Sequence, residues 1–63
     1  MKAYIMLYRH RCDWEEQGVE KVFDSREKAI KYLEQEMSAK HLSDDTWETE
    51  HYWYHIEEHE VEQ

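Results

Sequence analysis

The sequence predicts an α+β fold: a three-stranded antiparallel sheet in the order 2-1-3, with one helix packed on one face and the elements connected ββαβ. Three observations lead there. Residues 2 to 9 alternate Tyr4, Met6 and Tyr8 with Ala3, Ile5 and Leu7; both sets are largely apolar, as in a central strand covered on both faces. Ala29, Ile30, Leu33 and Met37 fall in one stripe about 100° wide at the helical period. The segment from Glu50 to about Glu60 is rich in the aromatic residues that favour pleated sheet.

Taken in order, the first strand spans residues 2 to 9 and gives way to a polar loop from His10 to Gln17. Gly18, the only glycine, is placed to supply a positive φ at the turn into a second strand, Val19 to Phe23. Asp24 or Ser25 caps the helix, and with Asp24 as the cap Glu27 completes a capping box. The helix is expected from Ser25 to Ala39, with Glu27–Lys31 and Glu36–Lys40 as i,i+4 pairs on its outer side. His41 to Thr49 reads as a loop before the last strand. Short connections and a right-handed crossover put the first strand in the middle. One helix covers only one sheet face. The other is then an interface, or is closed by the Trp14-bearing loop folding over it.

A chain of 63 residues makes one domain, residues 1–63. At that size folding buries only about 60% of the surface the unfolded chain exposes, so the core is marginal and association is a natural reinforcement. Cys12 is the only cysteine, which rules out an intrachain disulfide and a paired-cysteine zinc site and suits a reducing cytoplasm. The apolar start Met1 to Tyr8 stops at Arg9-His10-Arg11, too short for a signal peptide or a membrane span.

Charge is segregated along the chain. Eight basic residues and eight acids cancel over residues 1 to 40. From His41 onward there is no Lys or Arg, and Asp44, Asp45, Glu48, Glu50, Glu57, Glu58, Glu60 and Glu62 supply the whole formal charge of −8. Interleaved with them are Trp47, Tyr52, Trp53 and Tyr54. A one-signed segment with large aromatics suits a docking surface for a cationic partner, because charge steers encounter and buried aromatics supply affinity. The candidate contacts are Asp44, Asp45, Glu48 and Glu50 as a charged rim and Trp47, Tyr52, Trp53 and Tyr54 as anchors, those facing the helix being core instead. The alternative is that these carboxylates only keep sheet edges soluble and unpaired.

Chemistry is not indicated. His55-Ile56-Glu57-Glu58-His59 matches H-x-x-E-H, and His51 adds a third imidazole. That signature needs a helix, whereas Tyr52-Trp53-Tyr54 argues for a strand, on which Glu58 points away from His59. His10 and Cys12 lack a third group to orient them as base and nucleophile. One glycine cannot build a phosphate loop. The basic residues are matched by acids, which disfavours direct nucleic-acid binding. The expectation is therefore no enzyme, no cofactor, no metal, no membrane.

Met-Lys-x-Tyr at the start, Val19-x-x-Val22-Phe23, Asp24-Ser25-x-Glu27-Lys28-Ala29-Ile30-x-Tyr32-Leu33 and the closing Tyr52-x-Tyr54-x-Ile56-Glu57-Glu58-x-Glu60-Val61 together resemble small uncharacterised ββαβ proteins of bacteriophages and mobile elements. The resemblance covers nearly the whole chain and rests on strand, cap and core signals. It implies a phage-type origin, a host bacterial cytoplasm and action by binding a host protein. It carries over no catalytic residue. The expected function is a small acidic binding protein that inhibits or modulates a host protein, in defence or nucleic-acid handling, by docking on its basic surface. The alternative is a homodimeric structural or assembly protein with no charge-dependent partner.

Overall fold

Two strands from opposite ends of the chain form the centre of the molecule. The computed structural model describes residues 1–62. Its elements are β1 (Lys2–His10), β2 (Gln17–Phe23), α1 (Arg26–Lys31) continued by a π-helical turn (Tyr32–Glu36), β3 (Lys40–Ser43), β4 (Thr46–Glu48) and β5 (Tyr52–Glu60). β1 runs antiparallel to β5 from Lys2 opposite Glu60 to His10 opposite Tyr52, and antiparallel to β2 on its other side.

The expected three-stranded sheet is corrected: the sheet has five strands in the order β2-β1-β5-β4-β3. The extra two come from residues read as a loop. His41 to Thr49 is mostly a hairpin, β3 and β4 turning at Asp44-Asp45, with a register shift between His41 and Ser43. Every residue of β3 is exposed, and in β4 only Trp47 is buried, so no run of alternating apolar residues announces either strand. What holds the hairpin is its contacts. β4 pairs with β5, the Ile56 amide donates to the Asp45 carbonyl at 3.0 Å, and Arg26 Nη2 donates to the Asp44 carbonyl at 2.6 Å and to Asp45 Oδ1 at 3.0 Å.

The helix is shorter than expected and differently wound. Ser25, not Asp24, is the N-cap, its hydroxyl accepting from the Lys28 amide at 3.1 Å. Asp24 pairs instead with Lys28 Nζ at 2.9 Å. The helix ends at Glu36 in a π turn, with the Met37 amide reaching the Tyr32 carbonyl and the Ala39 amide the Leu33 carbonyl across Ser38, whose φ is 53°. Lys40 consequently lies in β3 opposite Glu48 rather than one helical turn from Glu36.

Beneath the helix, Ala29 and Leu33 press onto Met6, Ile56, Tyr54 and Trp47, all buried, with Tyr4, Phe23, Ile30, Tyr32 and Met37 packed around them. Trp47 is the largest fully buried side chain. Its Nε1 donates to Glu34 Oε2 at 3.3 Å, and His41 stacks on its ring at 4.4 Å between centroids. The core therefore lies wholly between the helix and one face of the sheet.

Candidate functional site

Strand alternation sorts the predicted contact residues onto two faces. Trp47 and Tyr54 point to the helix side and are buried, so neither is an accessible anchor. Tyr52 points to the same side but lies at the end of the sheet the helix does not reach. Trp53 points to the open face, beneath the guanidinium groups of Arg9 at 5.2 Å and Arg11 at 5.9 Å from its ring centre. Among the carboxylates, Asp45 is paired with Arg26 at 3.0 Å and Glu48 lies 3.9 Å from Arg11, while Asp44 and Glu50 are exposed.

The charge segregation of the sequence does not survive folding. β5 carries much of the acid, and its neighbour β1 carries bases: Lys2 Nζ lies 3.3 Å from Glu58, and the chain's amino terminus 3.7 Å from Glu60. Together with Arg11 and Arg26, these cations offset the segment that looked one-signed in sequence. The imidazoles of His55 and His59 sit on the open face of an extended strand, with Glu58 on the other. His59 Nε2 is 3.0 Å from Glu57, and no group of three His, Cys, Asp or Glu placed to hold a metal is found among the described residues.

A different concavity gathers uncompensated negative charge. Nine residues of β1 extend about 30 Å at the strand rise, whereas the six residues of α1 and five of the π turn cover about 16 Å at the helical rise. The helix therefore leaves one end of its own sheet face bare. There Tyr8, Tyr52 and Tyr54, with Glu16, Val19 and Glu20, line a hollow of about 400 Å³. Tyr8 meets Tyr52 edge-on at 5.8 Å, and Tyr52 lies tilted to Tyr54 at 6.1 Å. The Tyr52 hydroxyl donates to Glu16 Oε1 at 2.7 Å. That bond, with partial desolvation and the carboxylate's charge, pushes the phenol up to about 12. Burial and then the negative charge of Glu20 raise Tyr54.

Gly18 has a role here that the turn reading missed. It does not adopt a positive φ; it lies in β2 opposite Tyr8, and a Cβ at that position would meet the Tyr8 ring at 3.4 Å. The Tyr8 ring that walls the hollow thus lies in van der Waals reach of the glycine. Glu16 and Glu20 were not singled out from sequence because they belong to the stretch where charges cancel in number. The available signal was the excess of acid between Asp13 and Glu20, where Asp13, Glu15, Glu16 and Glu20 meet no Lys or Arg.

The open face of the sheet carries Ile5, Leu7, Val22 and Trp53. Val22 is more than half exposed. Trp14 approaches Arg9 at 5.7 Å yet stays 77% exposed, so its loop does not close this face. No helix among the described residues is long and apolar enough to cross a membrane. No family model, no curated protein and no solved structure matches this chain.

Proposed function

We propose that the chain is a small acidic binding protein, without chemistry of its own, that docks on a basic surface of a partner protein. The observation that carries this reading is the bare end of the helix-side sheet face, where Glu16 and Glu20 flank the half-buried phenols of Tyr8 and Tyr52 and no Lys or Arg lines the hollow. With a formal charge of −8, the long-range field draws in a cationic partner, and this concavity gives the encounter a place to end. The likeness of its strand and cap motifs to phage and mobile-element proteins makes the partner a host protein, inhibited or modulated by occlusion in a bacterial cytoplasm.

The test is salt. Immobilised at low ionic strength, the chain retains a basic protein from bacterial lysate and releases it as salt rises. The isolated pair weakens several-fold across the same range, and Glu16→Lys with Glu20→Lys abolishes binding at an unchanged melting temperature. Binding indifferent to both salt and charge reversal would sink the reading.

A second reading rests on a separate observation. The open face exposes Val22 beside Ile5 and Leu7, with no helix packed over them, which suits a homodimer formed sheet to sheet. Such a dimer holds by apolar burial and is insensitive to salt.

A further inference from the structure

We propose that the hollow lined by Tyr8, Tyr52, Tyr54, Glu16 and Glu20 is a socket for a single arginine side chain of the partner. This rests on the acidic-binding reading for the nature of the partner, and it names what the site recognises.

The sign of the ligand follows from the lining. Two carboxylates and three phenols stand around about 400 Å³, and none of the lining residues is basic. Neither Glu16 nor Glu20 has a Lys, Arg or His nitrogen within the 4.0 Å of an ion pair among the described residues. An anion is excluded by charge. A divalent metal is disfavoured because no third carboxylate, imidazole or thiolate joins the two carboxylates.

The shape of the ligand follows from the walls. Tyr8 and Tyr52 stand at 76° to each other and Tyr52 and Tyr54 at 43°, so the three rings that line the space are not coplanar. A guanidinium is planar, weakly hydrated and able to stack on an aromatic ring while donating in its own plane. It carries five N–H donors. Glu16 accepts from the Tyr52 hydroxyl at 2.7 Å through one oxygen and keeps the other free, and neither oxygen of Glu20 accepts a hydrogen bond from a described residue, leaving acceptors for such a fork. A lysine ammonium, compact and strongly hydrated, uses neither the stacking walls nor the spread of acceptors.

The walls are also set before any ligand arrives. Tyr54 is 4% exposed, Tyr8 lies against Gly18, and Tyr52 is tied to Glu16 and held edge-on by His10 at 5.0 Å. Little side-chain ordering is left to oppose binding.

The experiment uses the full chain, labelled for NMR at low ionic strength, titrated with acetyl-Gly-Arg-Gly-amide and with the same peptide carrying citrulline or lysine in place of arginine. Citrulline keeps the shape and removes the charge. Saturable shifts of the Tyr8, Tyr52 and Tyr54 rings and the Gly18 amide are expected with arginine, several-fold weaker binding with lysine, and none with citrulline. Glu20→Gln, which leaves all three rings in place, weakens the arginine peptide several-fold at an unchanged melting temperature. Equal binding of the citrulline or lysine peptide, or shifts confined to other residues, overturns the socket. If a basic protein is still retained in a salt-dependent way while the arginine peptide leaves the rings unmoved, the socket fails and the acidic-binding reading stands. If the peptide seats and no basic protein is retained, it is that reading that fails.

Discussion

Ser38 occupies a backbone position that side chains resist. Its φ of 53° lets the chain leave the helix and deliver the Ala39 amide to the Leu33 carbonyl at 2.8 Å, the helix-ending arrangement that glycine usually serves. A left-handed residue with a Cβ costs roughly 1–2 kcal/mol; glycine relieves that cost, but part of the gain is offset because it makes the unfolded chain more flexible. Ser38→Gly should therefore raise stability by about 0.5–1 kcal/mol in denaturant melts, and an unchanged midpoint would contradict the assigned conformation. Tyr52 gives a second check at the same scale. Its folded pKa of about 12 lies above the ordinary value of 10. The phenol is thus the favoured form in the fold, and the stabilisation this brings is complete below pH 10 and lost as pH climbs from 10 to 12. Absorbance titration near 295 nm should show late-ionising tyrosines, with Tyr52 contributing one step near pH 12. Glu16→Gln removes the carboxylate's charge and should bring that step back toward 10, and Tyr52→Phe should delete it.

At the scale of elements, the helix holds the sheet through two side chains with no exposed surface, Ala29 and Leu33. Leu33→Ala empties the centre of the core and should cost about 2–5 kcal/mol, enough to unfold a domain this small; an unaltered thermal transition would mean the helix does not seat on the sheet. The stripe that places those residues is legible in the sequence, as are β1 from its alternation, β5 from its aromatics, the helix onset from its cap and β2 from its place between a glycine and that cap. The hairpin is not, since a three-residue strand with one buried tryptophan and an edge strand with no buried residue offer no period to read. The π turn is equally silent: it alters hydrogen-bond partners, not which residues face inward. Of the candidate site, Tyr52 is legible as an aromatic on a strand. Its neighbours Glu16 and Glu20 are not, because which carboxylates stand beside it is decided by the length of the helix against the length of β1, a tertiary fact.

For the molecule as a whole, the decisive quantity is how charge and apolar surface are shared between its faces. Lys2, Arg11 and Arg26 offset part of the acidic segment, so the net −8 is expressed as separate patches and not as one acidic wall. The apolar patch is on the opposite side of the sheet from the hollow. These two surfaces can act at once, and sedimentation separates their roles. The chain is expected to form dimers at micromolar concentration, persisting at high salt, and Val22→Lys should yield a monomer of nearly unchanged melting temperature. A monomer in the parent chain at every concentration would remove the sheet-to-sheet dimer and leave that face free for another partner.

The pairing of β1 with β5 has a consequence in time. The two central strands lie some fifty residues apart in sequence, with Lys2 opposite Glu60, so the middle of the sheet cannot close until the last strand has been made. During synthesis β1 waits with only β2 beside it and its other edge unpaired, and a contact this distant in sequence is slow to form. A chain interrupted before Tyr52 loses not a dispensable edge but the partner of its central strand. The nascent protein is in that interval a sticky hairpin, and the speed with which β5 arrives, more than the final stability, governs how much of it escapes aggregation.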